Sequence, residues 1–313
     1  MTTTMIMRII HHQKANNKEG IMSTASSGSY YVPHGSQWPI IAVLGIFFTV
    51  LGVAFWANNV EIGGYLMFAG LGIIAYLFFG WFSDVIDESM GGKYSHQVDT
   101  SFRQGMIWFI TSEVFFFIVL FGTLYYIRAI SLPWLGGEGH LGSSNLLWDG
   151  FKASWPLLTT PDAGSSYTQT KEAMGAGGIP LYNTIILLSS GVTLTWAHHA
   201  LKKGHRNQLI MGLGATVALG LIFFGFQAYE YSHAYNAMDL TLNSGVYGST
   251  FYMLTGFHGF HVTIGTIMLI AILVRCLKGH FTEEKHFAFE AVAWYWHFVD
   301  VVWLGLYFFV YWL

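Results

Sequence analysis

Seven apolar runs long enough to cross a bilayer limit the fold of this sequence more than any other feature. A hydrocarbon core of about 30 Å takes roughly 17–25 helical residues, each rising 1.5 Å. The runs lie at Trp38–Trp56, Ile62–Phe82, Gln104–Ile130, Tyr182–Leu201, Leu209–Tyr231, Phe251–Leu277 and Ala291–Leu313. Their ends carry Trp38, Trp56, Trp81, Tyr182, Tyr231, Tyr311 and Trp312, aromatics of the kind that settle at headgroup depth. Of the 313 residues 53% are hydrophobic and only 10% charged, too few ionic side chains to cover a water-soluble globule of this size. An all-α integral membrane protein with seven transmembrane helices is expected.

Lys and Arg are retained in cytoplasmic loops, so their distribution orients the chain. Eleven of the 14 fall on one side: Arg8, Lys14, Lys18, Lys93, Arg103, Lys202, Lys203, Arg206, Arg275, Lys278 and Lys285. Arg128, Lys152 and Lys171 fall on the other. The split predicts a cytoplasmic N-terminus and an outer C-terminus, in keeping with an odd number of spans. Residues 1–37 lack the apolar core and cleavage site of a secretory signal, so the first span is expected to be an uncleaved anchor. Residues 1–21 differ in character from the Ser/Gly-rich stretch that begins at Met22; the whole tail is expected to be disordered, whether Met22 is the natural start or not. Residues 83–103 form an inner loop, and 131–181 form one long outer connection rich in Gly, Ser and Pro, either a lid or partner contact or a tolerated insertion. Glycines inside the later spans, among them Gly191, Gly212, Gly214, Gly220, Gly225, Gly256, Gly259 and Gly265, predict a tight bundle there.

The formal net charge of −3 provides no basic excess for phosphate neutralisation, so nucleic acid is set aside as a partner. Cys276 is the only cysteine, which rules out an internal disulfide, a paired-cysteine zinc site, a four-cysteine iron–sulfur cluster and a two-cysteine copper centre. Redox chemistry would have to come from histidines or from a partner subunit.

Ionisable side chains at mid-bilayer are costly and call for a partner or a purpose. From the span ends, Glu113 and Asp300 lie about 13 Å deep and His261 about 15 Å deep. His297 is one turn from Asp300, and His258 one turn from His261. For His258, His261, His297 and Asp300 an interhelical hydrogen-bond network is the simpler reading, against a proton path, a haem or metal site, or a bound lipid. Glu113 follows Thr111 and Ser112 and precedes Phe115–Phe117, so its neighbours in sequence are weak partners. Left unpaired there, its carboxyl would favour the neutral form, which suits proton handling or a passive hydrogen bond equally.

Glu-x-x-His occurs twice, as Glu230 with His233 and as Glu283 with His286, but the two copies fall on opposite sides of the bilayer and cannot share a di-iron centre. His198 and His199, adjacent on a helix, point about 100° apart and make poor joint ligands. They are expected at the inner interface with Lys202 and Lys203. No metal site is assigned, and haem ligation by His258 or His261 would need an opposing histidine at matched depth.

Four motifs carry a family resemblance: Phe102–Glu113 (FRQGMIWFITSE), the stretch from Asn183 through Ser190–His199 (SGVTLTWAHH), Tyr247–His261 (YGSTFYMLTGFHGFH) and Phe289–Trp303 (FEAVAWYWHFVDVVW). Together they closely resemble subunit III of cytochrome c oxidase, in order, from about Trp38 to Leu313. The resemblance implies a subunit without a redox centre or catalytic residue of its own, beside subunits I and II that carry haem and copper. Helices 1–2 (residues 38–82) and the five-helix bundle (104–313) would form a V whose cleft holds phospholipids. Cytochrome c would dock on the complex rather than on this chain. The family role is to support proton uptake and turnover stability of the catalytic subunit within proton-pumping aerobic electron transport.

By the same resemblance Glu113 matches the membrane carboxyl of the family's Ser-Glu motif, and Trp81, Glu88, Arg103 and Arg275 match positions near lipid headgroups. After Asp84, Val85 and Ile86 the animal proteins have Arg where this chain has Asp87, which removes a cation from the cleft mouth; Lys93 or His96 are the substitutes at hand. The long third loop is not the animal form and favours a bacterial inner membrane. Subunit III of a quinol oxidase is the nearest competitor, but its usual five-helix form lacks the first two spans. A stand-alone seven-helix proton-linked transporter using Glu113, His261 and Asp300, and a haem-binding membrane enzyme, are the alternatives from other classes.

Overall fold

The computed structural model describes residues 30–33, 35–138, 148, 151–161 and 166–312. The expected disorder of residues 1–37, and the status of residues 1–21, thus lie almost wholly outside the described residues. Those described form helices and loops, with no strand among them. Seven long helices follow in order: α1 (Trp38–Ala57), α2 (Ile62–Met90), α3 (His96–Tyr126), α4 (Ile179–Lys202), α5 (Arg206–Ala237), α6 (Gly245–Leu277) and α7 (Phe287–Leu306). A π-helical turn, Ile127–Ser131, and a helical turn, Leu132–Leu135, prolong α3, and a second π-helical turn, Tyr307–Trp312, prolongs α7. Most helices overrun the apolar run that predicts them. The run marks hydrocarbon, whereas the backbone ladder continues into polar flanks where it still satisfies its own N–H and C=O groups.

Six of the seven helices are long and apolar enough to cross a membrane by length and composition, and α4 is not among them. Its 24 residues suffice in length, at about 36 Å; its buried face, with Asn183, Thr184 and Ser190, lowers its hydropathy. Neighbouring helices take up several of these polar groups. Trp296 Nε1 donates to Ser190 Oγ at 2.8 Å and Trp303 Nε1 to Thr184 Oγ1 at 2.9 Å. The hydroxyls of Thr193 and Thr216 meet at 2.8 Å. Asn183 is fully buried with no hydrogen-bond partner on either side-chain polar atom.

The chain divides into two compact units, Met1–Phe102 and Arg103–Leu313. In the first, α1 buries only Gly45 and Gly52, and α2 buries Gly63, Gly70 and Leu77. Each helix spaces its buried glycines seven residues apart, and the two rows face each other. A Cβ on Gly52 would run into the backbone nitrogen of Met67, one on Gly63 into that of Trp56, and one on Gly70 into that of Thr49. The helices therefore touch backbone to backbone, the close approach that small residues permit when no hydrophobic force separates protein from lipid. Trp38 closes the pair by donating Nε1–H to Asp84 Oδ2 at 2.8 Å.

The second unit is packed through large side chains. Trp296 and Trp303 of α7 are fully buried, with Phe223 of α5, Phe251 of α6 and Leu187 of α4. The glycine expectation holds here only in part. Added Cβ atoms on Gly220 and Gly265 would meet the Trp296 ring at 3.0 and 2.9 Å, whereas Gly214, Gly225 and Gly259 face open space. Much of the long third loop is tied to the bundle where it is described. Lys171 N–H donates to the Met238 carbonyl at 3.0 Å, Met174 N–H to Tyr247 Oη at 2.9 Å, and Tyr307 Oη to the Ala176 carbonyl at 3.2 Å.

Because backbone blocks any Cβ at Gly52, Gly52→Ala is expected to cost about 1–3 kcal/mol and to lower the thermal unfolding midpoint in detergent. Gly64→Ala, on the open side of the same hairpin, is expected to leave the midpoint unchanged or raise it slightly. Circular dichroism on both variants checks this, and equal effects would remove the backbone-contact account.

Candidate functional site

Along α3, Met106, Ile110, Phe117, Leu120 and Leu124 recur every three to four residues and pack on the core. Glu113 occupies the one polar position in that ladder. On α6 the buried residues Leu254, His258, His261, Gly265, Leu269 and Ile272 form a matching ladder. The two polar positions meet: His261 Nε2 lies 2.8 Å from Glu113 Oε2. Glu113, which the sequence leaves without a strong partner, thus has one on a helix 148 residues away.

The other ring nitrogen fixes the chemistry. His261 Nδ1 lies 2.6 Å from the Phe257 carbonyl, which can only accept, so Nδ1 carries a proton. The contact between Nε2 and Oε2 then holds one further proton, on imidazole or on carboxyl. Either arrangement is neutral overall, so the pair fits an apolar setting without a net buried charge. Phe116 and Phe117 of α3 and Tyr295 and Phe298 of α7 ring the imidazole at centroid distances of 5.1–6.4 Å.

The remaining candidates do not join this pair. His297 Nδ1 lies 3.4 Å from Asp300 Oδ2, and its Nε2 lies 3.4 Å from Thr195 Oγ1 of α4. Gly191 makes room for this carboxylate, since a Cβ there would sit 2.6 Å from Asp300 Oδ2. His258 Nε2 lies 3.2 Å from the Val299 carbonyl, and its ring packs between Trp303 and Phe223. The interhelical hydrogen bonding expected of His258, His261, His297 and Asp300 is distributed over three separate arrangements.

Among the headgroup candidates, Trp81, Glu88 and His96 belong to the first unit and Arg103 and Arg275 to the second. Glu88 accepts from Tyr31 Oη and from Tyr94 Oη, each at 2.8 Å. Burial, then the Glu88 hydrogen bond, pushes the Tyr94 phenol well above its ordinary range. Trp81 is exposed and stacks on Phe82, and the carbonyl of His96 accepts from Thr100 Oγ1 at 3.0 Å. The Arg103 guanidinium pairs with Glu290 and lies over the Phe287 ring. Arg275 lies over Phe281 at 4.5 Å, with a buried Nε that has no hydrogen-bond partner.

Two buried carboxylates are not among the site candidates of the sequence, although Glu230 is weighed there with His233 as a metal motif and Glu290 lies in the Phe289–Trp303 motif. Glu230 accepts from Tyr311 Oη at 2.6 Å, and it shares a buried face of α5 with Phe223, Gln227 and Ala234, a spacing that marks it as inward. Glu290, in the first turn of α7, has His198 and His286 close by. Its spacing from buried Phe289 and Ala293 is the available signal, while both histidines look peripheral in sequence.

The fold and these sites define a polytopic α-helical membrane protein with a protonatable pair inside its bundle. The family model for cytochrome c oxidase subunit III matches residues 28–138 and 145–313. The chain is 41% identical over 292 residues to cytochrome c oxidase subunit 3 of Marchantia polymorpha, covering 93% of this chain and 98% of that protein. It is 42% identical over 286 residues to the subunit 3 of Latimeria chalumnae (91% and 97%) and 40% identical over 285 residues to that of Arabidopsis thaliana (91% and 96%). The chain belongs to the cytochrome c oxidase subunit III family. It is accordingly a non-catalytic subunit of an oxidoreductase complex with other oxidase subunits.

Glu113→Gln keeps a donor facing His261 Nε2 and is expected to change stability by less than about 1 kcal/mol, whereas His261→Ala strands the carboxyl and is expected to cost about 1–3 kcal/mol. Unfolding of both variants and of the double variant in detergent checks this. Additive single effects would sink the pairing.

Proposed function

We propose that this chain is the accessory subunit III of a proton-pumping cytochrome c oxidase, supporting proton uptake and turnover stability of the catalytic subunit without carrying electrons itself. Haem and copper reside in subunits I and II, and cytochrome c docks on the complex elsewhere. The observation that carries the reading is the Glu113–His261 contact, a pair that holds one exchangeable proton at no net charge inside a helical bundle. Family membership over more than nine-tenths of the chain supports the oxidase context. The presence of α1 and α2 favours the cytochrome c enzyme over the five-helix quinol oxidase form.

Structural phospholipids are the second part of the proposal, with Trp81, Glu88, His96, Arg103 and Arg275 near their headgroups. Arg275 is the best supported of these, since its buried Nε still has a hydrogen bond to give and guanidinium suits phosphate. The membrane is proposed to be a bacterial inner membrane with the N-terminus cytoplasmic and the C-terminus periplasmic. Eleven of 14 Lys and Arg on the N-terminal side support that orientation.

The test is a mild-detergent pull-down of the chain with a visible spectrum and an oxygen-uptake assay, before and after this subunit is stripped away. Haem and oxygen reduction are expected to stay with the partner, while activity during sustained turnover decays faster without this chain. Glu113→Gln is expected to leave the haem spectrum intact and to change pumping or lifetime modestly. A chain that purifies alone and carries haem, or loss of haem in the assembled Glu113→Gln complex, would overturn the reading.

A further inference from the structure

The end of the second unit where α4 finishes and α7 begins holds a cluster that the proton-handling pair does not use. Glu290 divides its carboxylate. Oε2 pairs with Arg103, while Oε1 faces His286 Nε2 at 3.2 Å and His198 Nε2 at 3.5 Å. Both of these ring nitrogens are buried atoms without a hydrogen-bond partner. Three ligand atoms from two helices and the turn that precedes α7 thus lie within 4.8 Å of one another.

Second contacts set which form of His286 is present. Its Nδ1 lies 3.1 Å from the Thr282 carbonyl, which only accepts, so Nδ1 bears a proton and Nε2 is the nitrogen left to face Glu290. A backbone carbonyl on the far nitrogen is the usual support of a metal-binding histidine. His286 Nε2 and Glu290 Oε1 face each other at 3.2 Å without the alignment of a hydrogen bond. For tetrahedral zinc, with Zn–N about 2.0–2.1 Å and Zn–O about 2.0–2.2 Å, neighbouring ligands stand about 3.3–3.5 Å apart. The separations of 3.2 and 3.5 Å from Oε1 match that edge.

We propose that His198 Nε2, His286 Nε2 and Glu290 Oε1 form a zinc site, with the fourth tetrahedral position left to water. Two imidazoles and one carboxylate are a donor set suited to a borderline-soft divalent ion. Arg103 holds the carboxylate by its second oxygen and cancels its charge in the apo state. His198 keeps 21% of its side-chain surface accessible, which gives an ion a way in. A bound ion would clamp the last turn of α4 to the first turn of α7.

The test uses the full chain in the complex with which it purifies, stripped with a chelator, equilibrated with Zn2+ alone and desalted, then analysed for zinc per chain. His286→Asn keeps a donor for the Thr282 carbonyl and removes Nε2, and His198→Gln leaves a polar side chain of similar reach. Each variant is expected to hold one equivalent of zinc less than the wild type, with partner zinc cancelling in the difference. Equal zinc content in wild type and both variants overturns the proposal. The wild type alone supplies a second readout, because zinc-edge X-ray absorption of the reloaded protein must contain a two-imidazole contribution. If neither variant assembles and that contribution is absent, the site is refuted and the histidines serve only as hydrogen-bonding groups around Glu290.

Discussion

A bilayer core offers no hydrogen bonds, so a polar side chain placed in it must find its partner on its own backbone or on another helix. This constraint orders the second unit. Thr184, Thr195, Thr216, Thr255 and Thr266 return their hydroxyls to the carbonyl four residues back. Trp296 and Trp303 reach from α7 to hydroxyls of α4, Tyr311 reaches to Glu230 of α5, and His261 reaches from α6 to Glu113 of α3. These bonds do more than offset desolvation, because each specifies which helix is the neighbour and in what register. Apolar surfaces, which lipid solvates as well as protein does, cannot specify this alone.

The two units answer the same constraint differently. Apart from the Trp38–Asp84 bond that closes the pair, α1 and α2 come together by removing side chains, with Gly45, Gly52, Gly63 and Gly70 buried along the contact. Where α4 to α7 carry hydroxyls, indoles and imidazoles, large buried rings fill much of the space between the helices. Glycine keeps a role there beneath Trp296, at Gly220 and Gly265, beside Asp300, at Gly191, and against the Thr193 carbonyl of α4, at Gly212.

How much of this was legible in the sequence follows from what hydropathy encodes. Apolar runs locate helices because hydrocarbon thickness sets their length, so all seven were found, with ends short wherever the helix continues into polar flanks. The exception in composition, α4, is the helix whose polar face is buried against neighbouring helices, which a one-dimensional hydropathy window cannot distinguish from exposure to water. Depth was legible too, and it placed Glu113 and His261 at matching levels. The partner was not, since periodicity tells which face of α3 carries Glu113 but not which of the other helices that face meets. His198, His286 and Glu290 were hidden for a further reason. They come from the end of one helix, the turn before another and that helix's first turn, so no spacing rule links all three.

The two midplane acids were legible as a pair in depth, but the fold keeps them apart. On α7, Tyr295 and Phe298 face His261, while Trp296, Asp300 and Trp303 turn toward α4, where Ser190, Gly191 and Thr184 receive them. Among the described residues no hydrogen bond connects the Glu113–His261 pair with His297 and Asp300. The two acids therefore sit in separate arrangements, Glu113 with His261 between α3 and α6, and Asp300 with His297 beside Thr195 and Gly191 of α4.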